Sequence, residues 1–406
     1  MEPSACFQAV LRTVPWRVLC GRGRSRAPFS ARAWYQMPLK EGDSGKPLAD
    51  GSGGVSILGP KRPLGRQDLI KLLEASVVHR DGALVAISKP PGLPVSGKPE
   101  SVTLVSLLPD LSKKLGLSQD LQVIKAPGKE SSGLVLLSDC QKTMQHFQEF
   151  YARCLKARCP VATYCAVTTR LPADSEGEIS TGLQQIHKED SQLVVPVASP
   201  SRSNLRRREV KNTRTYYRVL DSQDHCALVE LQPLAAFPCQ LLVHLTLILS
   251  PVLGDHVYSS RVGTVLGEPF LLPAESTPPR TQALDEAVLR KLHLQQSQVH
   301  RLPLHLHLHQ LLLPGDVSSA SSTALTAPPP PFFLQTLSLL GLRLPTEQAK
   351  PRHSERLPWP GRSRTCPSKV ETVASSQVKK ASLERRPVAA DRGNNLAPWR
   401  EDVHSE

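Results

Sequence analysis

Apolar residues recur in two rhythms between residues 67 and 344, and outside that span they follow neither. "QDLIKLLEASV" (67–77) carries Leu69, Leu72 and Leu73 at helical spacing, so it predicts an amphipathic helix. "ALVAISKP" (83–90) is a short apolar run that predicts a strand ending in the tight turn Lys89-Pro90-Pro91-Gly92. "QHFQEFYARCLKAR" (145–158) returns to a helical period. "ATYCAVT" (162–168), "TYYRVLD" (215–221) and the clearly alternating "CALVELQPL" (226–234) predict strands. "ALDEAVLRKLHL" (283–294) and "FFLQTLSLLGL" (332–342) predict later helices, and the Pro-rich stretches 272–280 and 314–331 predict loops. Strands and helices do not alternate strictly. The expected class is therefore α+β with a mixed sheet rather than a doubly wound one.

Charge changes the picture at both ends. The whole chain has 406 residues and a net charge of +14. Residues 1–36 hold Arg12, Arg17, Arg22, Arg24, Arg26 and Arg32 against the single acid Glu2, with apolar residues between them. That acid-poor, Arg-rich start has the character of a mitochondrial presequence, and it lacks the continuous apolar centre of a secretory signal. The expected location is the mitochondrial matrix. Residues 37–66, rich in Gly, Pro and Ser, read as a linker. Residues 345–406 have no sustained period and many Pro, Ser, Lys and Arg, so they read as a disordered basic tail. The folded unit is expected at 67–344. No apolar run reaches the roughly 20 residues of a membrane helix; the best, Leu241 to Leu249, is short and contains His244.

Within the folded unit, "RSNLRRREVKNTRTYYR" (202–218) concentrates seven cations against one acid. Arg206, Arg207, Arg208 and Lys211 in this run suit phosphate contacts with RNA; the alternative is a solvated loop. Nine cysteines include no Cys-x-x-Cys pair, which gives a zinc ribbon or redox motif no support. Cys154, Cys159 and Cys165 read as ordinary reduced thiols. His305, His307 and His309 in "LHLHLHQ" share one strand face by spacing and could bind zinc. Without a carboxylate or cysteine partner, a partly exposed strand face is the expectation, and no metal is assigned.

"IKAPGKESSGLVLLS" (124–138) reads as a loop that feeds a buried strand. Lys125 and Lys129 flank Pro127-Gly128, and the loop lies where reactive groups are often held. Yet it presents no obvious catalytic side chain.

The order of these segments resembles that of RluA-type pseudouridine synthases. "VVHRDGALVAISKPPGLPVSG" (77–97) resembles the family's opening strand and Lys-Pro-x-Gly turn, and "SSGLVLLS" the end of its signature loop. "ATYCAV" resembles the Lys-x-Tyr-x-Ala-x strand, "TYYRVL" the Thr-x-Tyr-x-Val-Leu strand, "PVLGDHVYSS" the Pro-Leu-Leu-Gly-Asp-x-x-Tyr turn, and "LHLHQLLLP" the Leu-His-Ala strand. With its basic start, the chain resembles the divergent mitochondrial mRNA branch. The resemblance implies a mixed, mainly antiparallel sheet with flanking helices and a central RNA-binding cleft. It implies no metal or organic cofactor.

It also explains the loop. The family pattern His-Arg-Leu-Asp-x-x-Thr-Ser-Gly falls with Gly128 at the catalytic aspartate, and Lys125 where the histidine belongs. The pattern Arg-Thr-His-Gln-Ile-Arg-x-His falls on Phe237 to His244, with Leu242 at the arginine that partners the aspartate. Of the implied Asp, Tyr and Arg trio, Tyr164 alone is retained. In the implied reaction the uracil leaves the ribose anomeric carbon, turns, and reattaches through carbon 5. A carboxylate must act on the sugar, as nucleophile or by drawing off a proton, and glycine can do neither. Tyr164 can hold the flipped base or act as the base at carbon 5; a core tyrosine is the plain alternative. Loss of the aspartate together with its arginine is self-consistent, because an unpaired buried arginine costs about 3–5 kcal/mol. A carboxylate restored at position 128 is expected to enter a pocket lined by Leu242. Glu130, two residues on, and Asp139, beyond the strand, are the substitute acids nearby in sequence.

Two readings follow. One is an isomerase converting uridine to pseudouridine in mitochondrial RNA, mRNA or rRNA, through Glu130 or a partner's group. The other is an inactive RNA-binding factor for mitochondrial mRNA or ribosome maturation and translation. Mitochondrial RNA is the expected partner in both, together with other mitochondrial RNA-processing or ribosome-assembly proteins. Lys125, Lys129 and the 206–211 cations are expected to touch that RNA.

Overall fold

The computed structural model describes residues 56–345, apart from 61–63, 99, 118–119, 189–190, 275–276 and 315–322. The expected presequence lies outside the described residues, and so does all but the first residue of the expected tail. In chain order the elements are α1 (Arg66–Ala75), β1 (Val77–Asp81), β2 (Leu84–Lys89), α2 (Leu104–Lys114), β3 (Gln122–Lys125), β4 (Ser132–Ser138), α3 (Gln141–Lys156) and β5 (Ala162–Thr168). They continue with β6 (Glu176–Lys188), β7 (Ser191–Val197), α4 (Arg202–Arg206), β8 (Val210–Gln223), β9 (Cys226–Pro233) and α5 (Gln240–Leu247). Last come β10 (Val262–Val265), β11 (Glu268–Leu271), α6 (Glu286–Lys291), β12 (Leu306–Leu313), β13 (Thr323–Thr326) and α7 (Pro331–Leu340).

One mixed sheet organises the domain in the order β1-β2-β4-β12-β5-β9-β8-β6-β7, with β3 added to β4 and β13 to β12. Only β4 and β12 pair in parallel among the described strands; the other ladders are antiparallel. Gly133 makes that parallel contact possible. Its φ is +121°, and a Cβ there would overlap the Leu308 carbonyl, so no other residue fits. A separate β10–β11 hairpin stands off the sheet.

Alternation along β5 decides what each face covers. Cys165 and Val167 point to a core formed with Leu228, Val288 of α6 and Phe332, Phe333 and Leu337 of α7. Ala166, and Tyr164 at its border, point the other way, toward Tyr217, Leu231 and the α5 residues Leu241 and Leu245. A third core lies under α1 and α2, where Ile70, Leu73, Leu104, Leu107 and Leu111 meet Val85, Ile87 and Val135. In α1 the buried stripe is Ile70, Leu72 and Leu73, so Ile70 takes the place expected for Leu69.

Three expectations change. Residues 56–60, within the expected linker, lie against the fold: Ile57 is buried in the α6–α7 core, and Gly59 and Arg301 exchange hydrogen bonds of 3.0 Å. The Pro-rich segment 314–331 contains a strand, β13, paired with β12 from Gln310 to Leu313. The histidine strand is not partly exposed: His305 and His307 are fully buried. His305 donates from Nδ1 to the Pro303 carbonyl at 2.8 Å and accepts from the Thr336 hydroxyl at Nε2 at 2.8 Å. His307 donates from Nε2 to the Ala327 carbonyl at 3.2 Å and accepts from the Ser132 hydroxyl at Nδ1 at 2.9 Å. A register shift between Leu308 and Gln310 then breaks the regular spacing before β12 continues. These rings close hydrogen bonds inside the fold. Among the described residues, no group of three or more His, Cys, Asp or Glu is arranged to hold a metal. No described helix is long and apolar enough to cross a membrane.

Candidate active site

Tyr164 sits mid-strand in β5, opposite Leu231 of β9 and Leu308 of β12. It is half-buried, and burial pushes its phenol up to about 12. Its hydroxyl has no hydrogen-bond partner among the described residues.

Helix α5 crosses the same face of the sheet and is fastened to β8. Gln240 donates from Nε2 to the Thr215 hydroxyl at 3.0 Å and to the Arg214 carbonyl at 3.2 Å. Thr213 donates its hydroxyl to the Thr181 carbonyl at 2.9 Å, so it accepts from His244 Nε2 at 3.0 Å. Leu242, on the first turn of α5, is half-buried. It packs against the Tyr164-bordered core on one side and against Val243, Tyr258 and their neighbours on the other, a cluster that Phe237 also borders. The wall that Leu242 and Phe237 border is apolar.

The loop 126–131 is pinned from below. Lys89 is fully buried, and its ammonium donates to the carbonyls of Pro90 at 3.0 Å, Leu93 at 2.9 Å and Lys129 at 2.9 Å. Gly92 donates its backbone N–H to the same Lys129 carbonyl at 3.0 Å. Burial pulls Lys89 down to about 7, with the Glu130 charge acting against it. The Lys-Pro-Pro-Gly turn thus fixes the loop, a role that spacing alone did not reveal. The Ser132–His307 bond holds the loop's other end, at the first residue of β4.

Gly128 is exposed, lacks a left-handed φ, and has nothing within 4 Å of a Cβ placed on it. The expectation of an enclosed Leu242-lined pocket at this position is therefore corrected: an aspartate side chain would leave the backbone into open space. Glu130 and Lys129 form an ion pair of 3.2 Å, each side chain 60% exposed. Burial pushes the Cys239 thiol up and pulls the His256 imidazole down, and Glu130 raises both. Asp139 follows the last residue of β4, about 20 Å of strand from the loop, too far for its carboxylate to act there.

The cations separate into two groups. Lys125 lies with Nζ 5.2 Å from the centre of the Tyr151 ring, and burial lowers its pKa. Lys125 itself is half-buried in β3, ahead of the loop. In the basic run, Arg214 pairs with Glu178 at 3.0 Å and Arg218 with Glu230 at 3.1 Å across neighbouring strands. Arg206, Arg207 and Arg208 are exposed at the end of α4, with Glu209 3.9 Å from Arg207. Lys211 donates to the Ala236 carbonyl at 3.1 Å, which ties this basic corner to the loop leading into α5.

A mixed sheet with a half-buried tyrosine on the face that a short helix crosses, beside a pinned loop, has the layout of an RNA pseudouridylate synthase. The sequence profile described as RNA pseudouridylate synthase matches residues 83–246. The chain belongs to this family, in its RluA-type group. It is 54% identical over 282 residues to the mitochondrial mRNA pseudouridine synthase RPUSD3 of Homo sapiens, a match covering 69% of this chain and 80% of that one. The mitochondrial pseudouridylate synthase RPUSD4 of Mus musculus is 35% identical over 313 residues, covering 71% and 76%. The solved structure of human RNA pseudouridylate synthase domain containing 4 superposes with a TM-score of 0.55 at 30% identity, covering 69% of this chain and 98% of that one.

Proposed function

We infer that the chain is a mitochondrial RNA-binding protein that takes a flipped uridine of mitochondrial mRNA into the cleft beside Tyr164 and isomerises it to pseudouridine. The observation that carries this reading is the Lys129–Glu130 pair in the pinned loop. It supplies, two residues on, the carboxylate and cation that Gly128 and Leu242 no longer supply. RNA phosphate competing for Lys129 would free Glu130, and the covering strand would remove it from water. Glu130 then acts on the ribose, and Tyr164 steadies the uracil and serves carbon 5. The names and high identity of the RPUSD3 relatives support the substrate class and the mitochondrial setting.

The test is pseudouridine mapping of mitochondrial RNA in cells with and without the protein. Modified sites disappear on its removal, return with the native chain, and do not return with Tyr164→Phe. An unchanged map on removal counts against the isomerase. One observation favours binding without chemistry: a pair so exposed contributes little by itself.

Phosphate contacts are assigned to Arg206, Arg207 and Arg208, because Arg214 and Arg218 are already paired. Replacing the triplet with alanine weakens RNA binding and lowers the salt slope by up to ~0.7 per contact on a single strand. Arg218→Ala leaves the slope unchanged. Equal slopes for the triple variant and the native chain would make the triplet merely solvated.

A further inference from the structure

Tyr164 differs from Tyr151, half-buried like itself, and from the buried Tyr258. Tyr151 donates its hydroxyl to the Leu312 carbonyl at 3.3 Å, and the Tyr258 hydroxyl accepts from the Val194 N–H at 3.2 Å. Tyr164 is flanked on its own sheet by Leu231 and Leu308, borders the cluster that takes in Leu242, and has no such partner among the described residues. Its oxygen is not sealed in. An unpartnered hydroxyl in apolar surroundings is a place where a ligand donor gains a full hydrogen bond. The phenol is protonated at neutral pH, as an ordinary tyrosine is, and burial moves it further in that direction.

What a docked base offers at that oxygen depends on its glycosidic bond. Uridine, held with carbon 5 toward Tyr164, presents a C–H. Pseudouridine is joined to the ribose through carbon 5 and turns its free ring N1–H to the same edge. We propose that the Tyr164 hydroxyl makes this cleft prefer pseudouridine over uridine, so that the protein retains modified RNA rather than releasing it. This rests on the uridine-docking reading above but not on the identity of the carboxylate. The preference is about tenfold in affinity, the factor that one hydrogen bond of ordinary net strength supplies.

The experiment uses the full chain with Glu130→Gln and two short single-stranded RNAs that differ only by uridine or pseudouridine at one position, the uridine RNA being recovered after each titration and checked to be unconverted. Fluorescence anisotropy at fixed salt gives both dissociation constants. The pseudouridine RNA binds about tenfold more tightly, and adding Tyr164→Phe, which removes only the unbonded hydroxyl, brings the two together. Equal affinities in the first variant, or a preference that survives Tyr164→Phe, would overturn the inference and leave the docking reading standing. Failure of both RNAs to bind would overturn the docking reading as well.

Discussion

Restoring the family's charged pair to a chain silenced at Glu130 will return pseudouridine formation. In a Glu130→Gln background, Gly128→Asp together with Leu242→Arg should raise activity on the order of 10²-fold, the usual contribution of one positioned acid–base group. Each single change should do little for activity, because aspartate alone lacks its cation and arginine alone lacks the reacting carboxylate. Their stabilities separate the two positions. Gly128→Asp should be nearly neutral, within about 0.5 kcal/mol, since the side chain enters open space without backbone strain. Leu242→Arg should cost about 2 kcal/mol, because leucine leaves two packed clusters and a half-buried guanidinium replaces it. If the two face each other, the double variant recovers about 1 kcal/mol of that loss, read from a double-mutant cycle by urea unfolding. Strict additivity with no gain in activity would show that positions 128 and 242 do not share a site.

Acid should unfold the domain well before most carboxylates are titrated. Burial pulls His305 and His244 down to about 4 and His307 to about 3. An unfolded chain takes up these protons near pH 6.5, whereas the folded chain resists until pH 3–4. Stability from the neutral rings is therefore fully present above pH 6.5 and drains as pH falls toward 4 and below. Together they account for a loss on the order of 10 kcal/mol, comparable to the whole stability of a domain. Asp255 works the other way, because burial raises it to about 6 and protonation favours the folded form, but it is one group against three. Near-UV circular dichroism should show a cooperative transition between pH 6 and 4. Intact tertiary signal at pH 3.5 would contradict the neutral, buried assignment of these histidines.

The strands were legible where one face is apolar. "CALVELQPL" and "ATYCAVT" announce β9 and β5 because alternate residues face different cores, and the helical spacing of 145–158 announces α3. β13 was not, because four residues between prolines carry no period of their own and pair only once β12 is in place. The burial of His305 and His307 depends on α7 and on the Ala327 and Thr336 groups, which are distant in sequence. The basic run looked uniform for a similar reason: Glu178 and Glu230, which occupy Arg214 and Arg218, sit on adjacent strands rather than nearby in the chain. The assignment of Gly128 and Leu242 rests on motif order alone. That Gly128 opens to solvent, and that Lys89 holds its loop, are facts of packing that no spacing encodes.

The most direct measurement is tritium release from an mRNA fragment carrying uridine labelled at carbon 5, because isomerisation must break that C–H bond. The native chain should release tritium, and Glu130→Gln should fall to background while retaining nearly native RNA affinity. Release at the same rate from both would contradict the carboxylate assigned to Glu130, and no release from the native chain would contradict isomerisation by this protein altogether.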